Sequence, residues 1–353
     1  MKVRLAILEK DRNYLNRIVS VFSTKYADRL EVYSFTEEQR AIDAVNESKL
    51  NVLIAGESFS EVAEKIPQRC GFAYLVESRD IQTYNNHRAI CKFQKADLIY
   101  RQVLSIYAET AGNITGIKFD DDNCKVIAFG SAGGGTGSSS MAAAAAINFA
   151  ASGKKTLYLN LEKLGTADRF FHSPGQFDMS DIIFALKSKK SNISLKLESC
   201  VKQDAAGVYF YSGTKVALDM IDLKEEEILR MIQELRMTGT YDCIVLDLDF
   251  GVESKLLDLY QTVGTLVMVT DGSEGANLKL QRACEALSIL EKNRDTSITG
   301  RMAVIYNKFS GGNRKILDNS ELKKIGTVPQ YEYSSTAQLI NKLAEAAFFK
   351  QIL

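Results

Sequence analysis

The stretch FGSAGGGTGSSS (129–140) restricts the fold of this chain more than any other, because of what flanks it. The run before it, CKVIAFG (124–130), is apolar and β-branched, as a buried strand is. The run after it, MAAAAAINFAASG, is a strong helix former ending in glycine. A glycine-rich turn between a buried strand and a helix lets backbone N–H groups converge on an anion, and the helix N-terminus adds its dipole. A flexible glycine-serine linker is the alternative, and it needs neither flank. The stretch is read as a phosphate-binding loop, although against the pattern GxxxxGK[ST] Ala132 takes the first glycine and Ser138 takes the lysine.

Upstream, the apolar runs VRLAILE (3–9), LEVYSF (30–35), LNVLIAG (50–56), GFAYLV (71–76) and HRAICKF (87–93) alternate with helical stretches. ADLIYRQVLSIYAE (96–109) closes the series. This predicts a five-stranded parallel-sheet α/β domain over 1–112, a polar, acidic linker over 113–123 (within AGNITGIKFDDDNC), and a second α/β domain over 124–353. In that second domain KTLYLNLE (155–162), YDCIVLDLDFG (241–251), TLVMVTD (265–271) and RMAVIYNK (301–308) read as strands with polar carboxyl ends, and IGTVPQYEY (325–333) follows a lysine-rich turn. Ligands of open α/β sheets sit at those ends. Asp247 closes a β-branched strand, the position from which a carboxylate holds magnesium through water.

Composition excludes several classes. Lys+Arg and Asp+Glu both number 44, so no global charge draws the chain to nucleic acid or an anionic surface. Two histidines and six scattered cysteines without a CxxC pair leave no pattern for zinc or a disulfide framework. No apolar run is long enough to span a bilayer and MKVRLAILEKD meets charge early, so a cytoplasmic protein is expected, with membrane contact only through partners. The basic run KSKKSNISLK (187–196) lacks interleaved aromatics and reads as a solvated helix end. The tail LINKLAEAAFFKQIL (339–353) is amphipathic with only Lys342 and Lys350 as cations, so it reads as core packing.

The order of the first domain resembles a response-regulator receiver. Its acidic cluster would fall on Glu9, Lys10 and Asp11, and its phospho-accepting Asp on Gly56 or Ala55, neither of which can accept a phosphoryl group. Glu77 or Ser78 stands for the Ser/Thr after the fourth strand, and Lys92 or Lys95 for the fifth strand's lysine. The domain is read as a pseudo-receiver without the phospho-acceptor.

The second domain resembles the ParA/MinD family of deviant-Walker ATPases, whose loop KGGxGK[ST]T aligns with Gly133, Gly134, Gly135, Thr136, Gly137, Ser138, Ser139 and Ser140. The family's DxD strand end appears as Asn160-Leu161-Glu162, and its motif after the Walker B strand as Asp247-Leu248-Asp249-Phe250-Gly251. The resemblance implies nucleotide contacts from Asn307, Lys308 and Pro329, magnesium on Ser139 and through water on Asp247, and a catalytic part for Glu162 and Asp247. Both loop lysines are missing, at Gly133 and Ser138, which points to ATP or ADP with Mg²⁺ bound but hydrolysed slowly or not at all. For Asn160 and Glu162 a solvated strand end stays an open alternative.

A pseudo-receiver ahead of such an ATPase is similar to the TadZ/CpaE proteins of Flp (Tad) pilus assembly. That implies a homodimer positioning pilus or secretion machinery, with no strong sign of nucleic-acid binding. The alternatives are a cycling ParA/MinD-type ATPase in chromosome partitioning or division-site placement, and a nucleotide-independent scaffold with a dead loop.

Overall fold

The computed structural model describes residues 2–47, 50–78, 80–110, 124–188, 192–292, 297–317, 322–332 and 335–353. The expected linker, 113–123, lies outside them. The chain divides into two compact units, Met1–Ile117 with Phe184–Cys200, and Lys118–Ile183 with Val201–Leu353.

In the first unit the order is β1 (Val3–Leu8), α1 (Arg12–Lys25), β2 (Leu30–Phe35), α2 (Glu38–Glu47), β3 (Val52–Gly56), β4 (Gly71–Val76), β5 (Thr83–Tyr84), β6 (His87–Cys91) and α3 (Ala96–Thr110). The sheet runs β2-β1-β3-β4-β6-β5 and is parallel except for the β5–β6 pair. Its alternating side chains feed two cores. Leu5, Ile7 and Ile54 meet Phe22 of α1 and Val103 of α3, while Ala6, Leu8 and Leu53 meet Ala41 and Val45 of α2.

Two expected helices are absent from this unit. Between β3 and β4 only short 3₁₀ turns form, Glu57–Phe59 and Val62–Lys65. Between β4 and β6 a hairpin replaces the helix, because Asn85 and Asn86 both take positive φ (46° and 61°). That conformation belongs to two-residue hairpin turns and is tolerated by asparagine.

The receiver-like pocket is filled from within. Glu9 is buried and pairs with Lys92, Nζ to Oε2 at 2.8 Å, so Lys92 rather than Lys95 takes the fifth-strand position. The Glu9 carboxylate also accepts from the Asp11 N–H at 3.1 Å. Asp11 itself caps α1, accepting from the N–H groups of Asn13 and Tyr14. A Cβ at Gly56 would stand 2.6 Å from Glu9 Oε2, so the acceptor position has neither the carboxylate nor the room for one.

From residue 124 the chain continues with β7 (Lys125–Gly130), α4 (Ser138–Ala151), β8 (Thr156–Asn160), α5 (Met179–Lys187), α6 (Ile193–Cys200), β9 (Lys202–Gln203), β10 (Tyr209–Phe210), α7 (Ala217–Ile221), α8 (Glu225–Met237), β11 (Cys243–Asp247), α9 (Ser254–Gln261), β12 (Thr265–Thr270), α10 (Glu274–Lys292), β13 (Met302–Tyr306), β14 (Lys323–Thr327) and α11 (Thr336–Ala344), all in the second unit except α6 and the end of α5. The sheet order is β14-β13-β12-β7-β11-β8-β10-β9, with all pairs parallel except β9–β10. The chain steps from β7 over β11 to β8 and later returns on β7's other side, which makes the end of β7 a topological switch point. Ala142 to Ala146 of α4 are fully buried; with only a methyl each, they let the helix lie close to the sheet and to α11. The C-terminal segment packs into this core through Ile340, Leu343 and Phe349. The lysine-rich turn before residue 325 is instead the start of β14, an edge strand whose exposed Lys323 and Lys324 discourage further pairing.

The segment 184–200, expected from the sequence in the second domain, clusters with the first unit. There α6 packs on α3, with Tyr100 OH donating to Glu198 Oε1 at 2.8 Å. Lys196 is buried and its Nζ donates to Ser105 Oγ at 2.9 Å, so this part of the basic run is not a solvated helix end. Lys189, Lys190 and Ser191 lie outside the described residues.

Restoring the acceptor by Gly56→Asp is expected to lower the thermal midpoint, because a second carboxylate would be forced against Glu9. Acetyl phosphate is expected to leave residues 1–110 unmodified in both proteins by intact mass. A stable phosphoryl adduct there would contradict the pseudo-receiver reading.

Candidate functional site

The loop leaves β7 at Gly130 and enters α4 at Ser138. Gly135 and Gly137 take left-handed φ (76° and 85°), which only glycine adopts without strain. Gly137 is the N-cap of α4 and brings no side-chain cap, so the first-turn N–H groups, including those of Ser139 and Ser140, keep the unpaired donors of a helix start. Nothing lies within 4 Å of where a Cβ would stand on Gly134 or Gly135, so this part of the loop faces open space.

The loop is held from inside and from the neighbouring strands. Ser131 Oγ donates toward the carbonyls of Val269 (2.6 Å) and Gly133 (2.8 Å) and accepts from the buried Thr136 hydroxyl at 2.9 Å. Asn307, just past β13 and buried, donates Nδ2 to the Thr136 carbonyl at 2.8 Å. Lys308 donates Nζ to the Gly135 carbonyl at 2.7 Å. Asn307 thus touches the loop backbone directly. Pro329 is exposed beyond β14, beside Val328, whose carbonyl accepts from the Phe309 N–H.

Register assembles the acidic side of the site. Asp247 is aligned with Phe129 on one side and Asn160 on the other, so the three strand ends reach one level at the mouth of the loop. Asp247 is fully buried; its Oδ2 accepts from Tyr158 OH at 2.6 Å and Asn160 Nδ2 at 2.9 Å. Glu162 accepts from Ser139 Oγ at 3.1 Å and from Asn160 Nδ2 at 3.2 Å. Asn160 and Glu162 are therefore joined to the loop and to Asp247. Gly165 completes this corner: a Cβ there would stand 2.4 Å from Glu162 Oε2 and 2.7 Å from Asn160 Oδ1.

Two polar atoms in this corner are buried without a partner, Asp247 Oδ1 and Ser138 Oγ. Burial, and then the negative charge of Glu162, push the Asp247 carboxyl up to about 7, against the pull of the Tyr158, Ser139 and Asn160 side chains. A divalent cation fits this arrangement: an all-oxygen set of Ser139, Asp247 and Glu162 suits magnesium, which keeps several waters and phosphate oxygens as further ligands. Among the described residues no cluster of three His, Cys, Asp or Glu side chains offers a softer or fully protein-built cage.

Sequence reasoning missed Tyr158, Ser131, Gly165 and Lys279, whose Cδ would lie 3.8 Å from a Cβ on Gly133. Tyr158 looks like one more apolar core residue in KTLYLNLE. Only its place two residues before Asn160, on the same face of β8, hints at its contact with Asp247.

A buried strand, a glycine loop, a helix and an Asp-terminated neighbouring strand, set in a mostly parallel sheet, give the second unit a P-loop fold of the ParA/MinD type. Among solved structures it is similar to a ParA family ATPase from Chlorobium tepidum TLS, with 20% identity, a TM-score of 0.50, and coverage of 65% of this chain and 96% of that one. The cell division ATPase MinD of Pyrococcus furiosus matches at 16% identity and TM-score 0.47, over 65% of this chain and 99% of that one. A putative plasmid partition protein of Borrelia burgdorferi B31, bound to AMPPNP, matches at 15% and 0.45, over 64% and 98%. No curated protein matches the chain. Residues 1–108 match the TadZ-like receiver domain. Residues 1–108 thus match a TadZ-like receiver domain, and the second unit has the fold of a ParA/MinD-like P-loop domain.

Gly137→Ala is expected to destabilise the protein by about 1–3 kcal/mol, since φ is left-handed there and the added Cβ would stand 2.4 Å from Asn307 Nδ2. Chemical denaturation measures it. The raised carboxyl of Asp247 also makes a pH prediction with a definite sign. Its contribution is fully present below the ordinary carboxylate range and is lost as pH climbs to about 7, because the unfolded chain ionises first. Without magnesium, the melting temperature of Asp247→Asn relative to wild type is therefore expected to rise from pH 5 to pH 8. A difference that stays constant over that range would contradict the assignment.

Proposed function

We propose that this protein is a cytoplasmic ATP-binding factor that localises or assembles an Flp (Tad) pilus or secretion system, acting through an ATP-dependent homodimer. The observation that carries the nucleotide reading is the corner where an open glycine loop meets a buried Asp247 with one unpartnered carboxylate oxygen. The TadZ-like receiver domain supports the pilus assignment. No helix among the described residues is long and apolar enough to cross a membrane, which fits contact with the membrane through partners.

Backbone N–H groups of the loop and the α4 N-terminus would hold the phosphates, and Ser139 and Asp247, with Glu162 beside them, would hold magnesium. The ion would neutralise developing charge on the phosphates. Glu162 sits within hydrogen-bonding distance of Ser139 and Asn160, so its carboxylate is oriented by both. The loop itself supplies only neutral donors where its relatives place two lysines. Losing one preorganised electrostatic stabiliser costs on the order of 10²–10³ in rate, so two losses point to a switch that binds ATP and cleaves it slowly or not at all.

Saturating ATP with magnesium is expected to raise the melting temperature, with about 2.7 kcal/mol of stabilisation at a hundredfold excess over Kd. Ser139→Ala and Asp247→Ala are expected to abolish that shift. Turnover stimulated by DNA or lipid vesicles would favour a cycling partition ATPase instead. No binding of ATP by calorimetry would leave a nucleotide-independent scaffold.

A further inference from the structure

We propose that Lys308 delivers to the loop, from the end of β13, the phosphate-neutralising charge that the loop's own sequence lacks. This rests on the nucleotide-binding reading and names the residue that makes it electrostatically workable. The loop has Gly133 and Ser138 at the positions where its relatives carry lysine, and a serine hydroxyl gives one neutral hydrogen bond. Lys308 brings a full charge to the same place. Its Nζ is 2.7 Å from the Gly135 carbonyl, and its Cε would lie 3.9 Å from a Cβ on Gly137. The ammonium therefore stands at the two left-handed glycines, next to the part of the loop that faces open space. An ammonium has three donors, and the contact with Gly135 uses one.

The backbone indicates that this placement is built in. Lys308 adopts φ 55°, a left-handed conformation that strains any residue with a Cβ. Both neighbours are pinned. The Asn307 N–H bonds the Thr270 carbonyl and its side chain bonds the Thr136 carbonyl, each at 2.8 Å, while the Phe309 N–H bonds the Val328 carbonyl at 2.8 Å. Glycine would meet those backbone demands with less strain, so what lysine adds at 308 is the side chain that reaches the loop. A second, independent sign of a polar ligand comes from the end of the loop and the neighbouring strand, where Ser138 Oγ and Asp247 Oδ1 are buried without partners. An ammonium at the loop's glycines, together with a pair of carboxylates and a hydroxyl at its helix end, suits a polyphosphate with its divalent ion.

A charge that serves phosphates should matter more for a triphosphate than for a monophosphate, and its loss should not weaken the fold. The test uses the full chain, with ATP and AMP each titrated calorimetrically in magnesium, for wild type, Lys308→Gly and Lys308→Met. Lys308→Gly removes charge and strain together. Its melting temperature without nucleotide is expected to equal or exceed that of wild type, while its ATP affinity falls about 10–100-fold. Lys308→Met is expected to lose ATP affinity to the same extent, and AMP affinity is expected to fall much less in both. If wild type binds ATP and both variants bind it equally well, the assignment is overturned. Equal losses for ATP and AMP also overturn it, because they place Lys308 at the base or in bracing the loop. If wild type binds no ATP, the nucleotide reading fails, and the assignment fails with it.

Discussion

A carboxylate sealed from solvent at the end of a central strand is the constraint to which the rest of the second unit answers. Asp247 has donors on one oxygen and none on the other, and a second carboxylate, Glu162, lies close enough to oppose its ionisation. Burying such a group is costly unless its charge is compensated. Tyr158 and Asn160 supply part of that compensation, and the parallel register of β7, β11 and β8 brings them to it. The other part is left to whatever enters between the acidic corner and the glycine loop. Stability and ligand demand are thus coupled at a single side chain.

What the sequence made legible was local. A β-branched strand, a glycine cluster and an alanine-rich helix adjoin one another in the chain, so the loop could be read without knowing the sheet order. Asp247 was legible for the same reason, as the polar end of an apolar run. Tyr158 was not, since its hydroxyl acquires a role only when β8 and β11 pair in register. Lys308 could be picked out only as a neighbour of Asn307; its reach to the Gly135 carbonyl depends on a backbone torsion that no spacing encodes. The Asn85-Asn86 pair did carry a signal for a two-residue hairpin, and the alternation of strand and helix obscured it. Lys196 misled in the opposite direction. Its neighbours in the run are charged, but its position on α6 turns it toward Ser105.

The two units reach their altered chemistry by different routes. In the first, the phosphoryl-acceptor position has been reduced to glycine, and an internal ion pair between Glu9 and Lys92 occupies the pocket. An ion pair of this kind, shielded on the carboxylate side, ties the end of the first strand to the residue after the last parallel one. In the second unit the loop has the left-handed glycines of an anion-binding turn and no cationic side chain within residues 129–140. Binding depends strongly on shape and on N–H donors, whereas cleavage depends on charge placed where it develops.

The close fit of Glu9 against Gly56 also bears on how such a domain can change over time. A lineage carrying this pair regains a carboxylate at position 56 only if Glu9 shifts, because the returning side chain would meet a carboxylate already in place. A turn of Glu9 away from that position would leave the half-buried Lys92 without its counter-ion. The glycine at 56 is consequently tied through packing to the ion pair beside it, so the two sites are constrained to change together.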